Sequence, residues 1–193
     1  MLTMEDVIRE GNPILRTIAE AVPLPPTDQE RKLLQDMIQF LRNSQDPETA
    51  EQCELRPGVG LAAPQINVPK RMLAIRTTDQ NDELIELAMF NPKIISHSQQ
   101  TTYLEDGEGC LSVDRAVAGV VPRYTRVKFE AYDIDGKKFT MRLRGFLAIV
   151  FQHELDHLNG IMFYDRIDED DPYKKELPPQ EIVQRSEDEF PLT

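Results

Sequence analysis

Residues 153–157 read His-Glu-Leu-Asp-His, a spacing that could hold a metal ion. On a helix, positions i and i+4 stand one turn apart on one face, so both imidazoles can reach a common cation. Glu154 is offset by one position. From there it can take a proton from a water on that cation without ligating the cation itself. The same helix places Phe146, Ile149 and Val150 on the histidine face. That side is then also the apolar, inward one, where a low dielectric strengthens charge stabilisation. Two partly buried histidines held by ordinary hydrogen bonds are the plainer alternative. The glutamate between them favours the metal, because a structural pair needs no base. The remaining histidine, His97 in IISHSQQ, has no such companion and reads as a surface or strand-end residue.

A metal with one open position needs three protein ligands, so the third ligand decides the chemistry. HELDHLNGIMF follows a metzincin-like spacing as far as Gly160, but Phe163 stands where a third histidine is required and cannot bind metal. A downstream glutamate, Glu176 or Glu181, would sit in a proline-rich polar tail with no helical face. Upstream, EDGEGCLSVD offers Cys110, preceded by Gly107 and Gly109, which let backbone approach a site closely. Its thiolate is a strong ligand for a divalent metal. The local sequence fits a buried free cysteine equally well. A further segment, Gly58-Val59-Gly60-Leu61-Ala62-Ala63-Pro64-Gln65, lacks the ending and the charge of a phosphate loop. It suits a tight loop offering backbone groups and one amide NH2, a neutral donor for a developing oxyanion.

Several elements must position these residues. Apolar residues Leu33, Leu34, Met37, Ile38 and Leu41 recur at helical spacing and predict a helix over 28–44. REGNPILRTIAEAV reads as a turn and a short helix with Pro13 in its first turn, and residues 45–57 as a polar excursion with weak helical pattern. Short apolar or alternating runs predict strands at 71–77, 86–92, 101–106, 125–134 and 137–143, with Asp135-Gly136 as a primed hairpin turn. A second helix follows over 145–158, stopped by Asn159-Gly160. The fold class expected is α+β: mostly antiparallel sheets around the late histidine helix, with N-terminal helices.

A chain of 193 residues fits one domain, 1–193, with a polar tail over 168–193. The formal net charge of −12 argues against DNA or other phosphate-backbone binding. The N-terminus has no secretory pattern and no apolar run is long enough for a membrane span, so the cytoplasm is the expected compartment. In that reducing setting Cys53 and Cys110 are read as separate thiols, Cys53 as a small core residue.

Taken together, GVGLAAPQ (58–65), EGCLS (108–112) and QHELDH (152–157) resemble, in order, the three signature segments of the peptide deformylases. The likeness runs over about residues 1–167, including LTMEDVIREGNPILR and GIMFYDRID. It looks like the form of Gram-positive bacteria, which carries an insertion similar to residues 42–56. The resemblance implies an enzyme that removes the formyl group from N-terminal formylmethionine of nascent polypeptides, releasing formate. It implies Cys110, His153 and His157 as metal ligands and Glu154 as general base and acid, with Gln65 and the Leu111 backbone N–H at the oxyanion. It implies Fe2+, with Zn2+, Ni2+ or Co2+ as substitutes. The substrate would add as a strand beside Gly58–Gly60 and residues 105–109, touching Gly60 and Gly109, and its methionine would enter a pocket walled by Val59, Leu104, Phe146 and Val150. A monomer in transient contact with the ribosome is expected. The competing readings are a metalloendopeptidase using Glu176 or Glu181, and a structural metal domain or metal-dependent peptide-binding module.

Overall fold

The computed structural model describes residues 1–79 and 81–174. Thr27 opens helix α1 (Asp28–Gln45) with a reciprocal cap: the Thr27 hydroxyl accepts from the Glu30 amide, and the Glu30 carboxylate accepts from the Thr27 amide. A short helix α2 (Pro47–Gln52) follows, started by Asp46, whose side chain accepts from the Thr49 amide. The excursion expected over 45–57 thus contains one and a half turns of helix, with Cys53 at its end packed against the core behind α1.

The strands are β1 (Gly60–Ala62), β2 (Met72–Thr78), β3 (Leu84–His97), β4 (Thr101–Thr102), β5 (Arg123–Tyr124), β6 (Arg126–Tyr132) and β7 (Lys138–Arg144). Five form an antiparallel sheet in the order β1-β2-β3-β6-β7, and β4 pairs with β5 apart from it. Helix α3 (Gly145–Leu158) leaves β7 directly through Gly145 at φ +60°, a backbone that residues with a Cβ adopt reluctantly.

Alternation along the strands sends side chains to two cores. Leu73, Ile75, Met89, Phe129 and Leu143 pack on α3 with Ile149, Val150 and Phe151. Met72, Ala74 and Phe90 meet Leu34, Met37 and Leu41 of α1 on the opposite face. A third cluster gathers Leu15, Cys110, Val113, Val121, Met162 and Phe163. The N-terminal turn around Pro13 is a single 3-10 turn, Pro13–Arg16.

The structure departs from the sequence reading at four points. β3 runs on past Asn91-Pro92 because its register shifts there, and a bulge is where a strand tolerates a proline without an N–H to donate. The expected strand at 101–106 keeps two residues before turning away, since the Leu104 carbonyl accepts from Gly107 N and Gly107 sits at φ +78°. The β6–β7 turn is not primed. Asp133 N–H donates to the Lys137 carbonyl, Gly136 N–H donates to the Asp133 carbonyl, and only Gly136 has positive φ, which gives a three-residue loop with a bulge. Finally, α3 is buried on all sides from Phe146 to Leu158, not along one stripe. At the start of the tail, the Val120 N–H donates to the Pro172 carbonyl. Glu176, Glu181 and the rest of the tail past Lys174 lie outside the described residues.

Candidate metal centre

On α3 the His153 and His157 rings stand 5.1 Å apart between centroids. Cys110 comes to them from the loop before β5, with its Sγ 3.2 Å from His157 Nε2. The three candidate ligand atoms lie within 4.8 Å of one another, and all three residues are buried. The upstream cysteine completes a three-ligand cluster among the described residues, which do not include Glu176 or Glu181.

Cys110 sits at the head of a tight turn in which Val113 N–H donates to the Cys110 carbonyl. Two donors face its sulfur, Ser112 N at 3.4 Å and Gln65 Nε2 at 3.5 Å. Gln65 is held from its other end, where Oε1 accepts from Ala62 N at 2.8 Å. Its amide NH2 is thereby aimed at the sulfur and at Ser112 Oγ, 3.3 Å away. The N-terminal segment straps both partners down, Ile8 N donating to the Gln65 carbonyl and Glu10 N to that of Ser112. The Leu111 side chain fills the space above Gly58, where a Cβ would meet its Cδ1 at 2.9 Å. Gln45 Nε2, at the end of α1, donates to the carbonyls of Gly58 and Arg76 at 2.7 and 2.8 Å. The buried Ser44 hydroxyl accepts from Gly58 N. The glycine loop is thus anchored by polar groups of a helix that the sequence reading used only for its apolar stripe.

Glu154 is buried, and its Oε2 has no hydrogen-bond partner among the described residues. Burial pushes its carboxyl up to about 7, against the pull of His153. Burial also drives the His157 imidazole well below its usual range, helped by the charges of His153 and Arg123, so it is the neutral ligand a metal needs. At His153 burial acts in the same direction but is outweighed by hydrogen bonds to Cys110 and Glu108. A proton is favoured where a cation would otherwise lie. A thiol and two imidazoles, buried together, are a donor set that fits a divalent transition metal.

Behind the ligands lies a layer absent from the sequence reading. Glu108 Oε2 accepts from His153 Nδ1 at 2.8 Å. Arg123 forks onto both Glu108 oxygens at 2.8 Å and reaches Asp156 with its remaining nitrogen at 2.5 Å. Burial raises the Glu108 carboxyl, yet the Arg123 charge and these hydrogen bonds hold it at about 2. Asp156, a charged residue inside the histidine motif that is neither ligand nor base, is the one signal of this layer in the sequence.

Val59, Leu104, Phe146 and Val150, the expected pocket walls, share one apolar cluster with α3. A cavity of about 250 Å³ opens beside Cys110, lined by Gly109, Val113, Arg115, Val117 and Phe163 among others. A larger groove of about 620 Å³, floored by Val127, Leu143 and Leu147, touches none of the candidate site residues. His97 is exposed at the end of β3 and stacks on Tyr124, as a strand-end residue should.

The family model of polypeptide deformylase matches residues 4–173. The chain belongs to that family. It is 60% identical over 179 residues to the peptide deformylase of Shouchella clausii, covering 92% of this chain and 98% of that one. It is 57% identical over 175 residues to peptide deformylase 2 of Bacillus subtilis, covering 91% and 95%. Both relatives agree with the Gram-positive resemblance. Among solved structures, peptide deformylase from Thermotoga maritima superimposes with a TM-score of 0.65 at 31% identity, covering 84% of this chain and 96% of that one. The class I type b enzyme of Acinetobacter baumannii bound to Met-Ala-Ser gives 0.67 at 30% identity, covering 83% and 96%. Membership makes the chain a hydrolase that takes formyl groups from nascent polypeptides, and its buried triad and family together support a metal cofactor. No helix among the described residues is long and apolar enough to cross a membrane.

Proposed function

We propose that Cys110, His153 and His157 hold the metal of this deformylase and that Glu154, Gln65 and the Leu111 amide perform the residue chemistry of formyl hydrolysis. The observation that carries this reading is the cluster of three buried ligand atoms within 4.8 Å of one another, with the buried Glu154 next to His153 on the same helix. A divalent cation in the triad would acidify a water and polarise the formyl oxygen. Glu154 is suited to take the proton from attacking water and return it to the leaving nitrogen, because burial brings its carboxyl up to about 7, near neutral pH. Gln65 Nε2 is held in place by the bond from Ala62 N to its Oε1, and so is preorganised to donate to the oxyanion. The Leu111 N–H lies in the same Cys110 turn and is the second donor.

Among the described residues β1 lies at the edge of its sheet, paired only with β2, with an open ladder beside Gly60. An extended formylmethionyl peptide would add there, with Gly109 on its other side, which is β-augmentation. That the Acinetobacter relative was solved with Met-Ala-Ser bound supports a methionine-first peptide as the ligand. Val59, Leu104, Phe146 and Val150 are assigned to the methionine pocket. Iron(II) is the assigned metal, with zinc, nickel or cobalt as substitutes. One domain, a monomeric state, a cytoplasmic setting and transient ribosome contact complete the reading.

The test is formate release from a short formyl-Met peptide after anaerobic loading with Fe2+ or Ni2+. Folded, metal-loaded protein that releases none would overturn it. Cys110→Ala should abolish metal retention, whereas a site completed by Glu176 or Glu181 would keep its metal.

A further inference from the structure

The two histidine ligands are oriented very differently. His153 Nδ1 donates to Glu108, whereas the buried Nδ1 of His157 has no partner among the described residues. Metal-bound imidazoles are aimed by whatever their second nitrogen bonds, so aim is imposed at His153. The group imposing it does not end at Glu108. Arg123 joins Glu108 to Asp156, and Asp156 is gripped in turn by Arg166, whose Nε lies 2.5 Å from Oδ2 and Nη2 2.6 Å from Oδ1. Side-chain exposure runs 3% at His153, 0% at Glu108, 1% at Arg123 and 6% at Asp156, then rises to 41% at Arg166. The chain of charges therefore starts at the metal and surfaces at one residue, on the 3-10 turn Phe163–Arg166 just beyond α3.

We propose that Arg166 is a positioning residue, which fixes the aim of His153 at the metal through Asp156, Arg123 and Glu108. The inference rests on the metal reading above. Its physical basis is a competition for Arg123. That guanidinium serves two buried carboxylates, forking onto Glu108 and offering a single nitrogen to Asp156. Arg166 supplies Asp156 with a fork of its own, and so leaves the Arg123 fork for Glu108. Without Arg166, a nearly buried Asp156 would keep only the Arg123 nitrogen. Attraction would turn that guanidinium away from Glu108, and the acceptor that aims His153 would move with it.

The experiment compares wild type, Arg166→Met and Arg166→Lys loaded with Co2+, read by visible absorption and by chelator competition. Arg166→Met keeps the length of the stem and removes the fork. It should bind Co2+ about 3–10-fold more weakly, below the 10–100-fold typical of a direct second-shell partner. It should also shift the d–d bands while keeping the thiolate-to-metal transition. Arg166→Lys restores the charge but not the fork, and should fall between the two. A lowered Tm in Arg166→Met with an unchanged spectrum and affinity would overturn the proposal and leave Arg166 a merely structural tie. Should the methionine variant fail to fold, the lysine variant decides: a wild-type spectrum and affinity there also overturns it. None of these readouts needs turnover. A wild type that binds Co2+ but releases no formate would count against the functional reading alone.

Discussion

The backbone of Gly60 closes directly on the carboxylate of Glu154: a Cβ at residue 60 would lie 2.6 Å from Glu154 Cδ and still nearer to Oε1. The strand edge offered to substrate and the group offered as proton carrier are in contact. Gly60→Ala should therefore fold, bind metal and lose about 100-fold in kcat/KM, since a misplacement near 1 Å costs on that order. Steady-state kinetics beside metal analysis checks this, and near-wild-type turnover would show that Glu154 has room to move.

Glu154→Gln removes the titrating group without changing its shape. Metal content should stay at the wild-type level while kcat falls by about 10²–10⁴, the usual contribution of a positioned acid–base group. Unchanged turnover would support a structural metal site.

Gln65→Leu removes the donor aimed past Cys110 and orphans the Ala62 amide that now donates to Gln65 Oε1. A drop of about 10²–10³ in kcat is expected from the lost oxyanion donor. A loss of about 1–3 kcal/mol in stability should accompany it from the unpaired buried N–H. Urea denaturation separates the second effect from the first.

The metal-free protein should carry two opposite pH dependences. The Glu154 carboxyl titrates at about 7 in the folded chain against 4.5 for its ordinary value, so the folded state binds the extra proton between those limits. Stability should fall as pH rises through that window, by on the order of 3 kcal/mol. Glu108 is shifted the other way, to about 2, so its contribution is present above 4.5 and is lost as pH falls toward 2. Urea midpoints of metal-free Glu154→Gln should lose the Glu154 contribution between 4.5 and about 7, leaving there only the contributions of His153 and His157, and keep the acid slope. A variant with both slopes intact would contradict the assignment.

Gln45→Leu should destabilise by about 1–3 kcal/mol, because it leaves the Gly58 and Arg76 carbonyls without their donor. Activity should fall further than stability, since Gly58 begins the glycine loop. Equal activity at a temperature well below the Tm would show that the loop is held by other contacts.

The local chemistry of this protein was legible in its sequence. Helical spacing alone brought His153 and His157 to one face, and period-two alternation marked β6 and β7, because both depend only on backbone geometry within a few residues. Even Phe163 was informative, as it closed off a third histidine. Contacts across long stretches of chain were not legible. Whether Cys110 was a ligand or a plain buried thiol was undecided by its neighbours, and only folding brought its sulfur 3.2 Å from His157, 47 residues later. The same holds for Glu108, Arg123, Asp156 and Arg166, to which the sequence reading gave no role. Their burial as a connected chain behind His153 comes from β5, α3 and the Phe163–Arg166 turn packing together, and no spacing rule carries that information. Gly60 makes the difference plain. The sequence marked it as a place for close approach, but the tertiary structure decided that what approaches is Glu154.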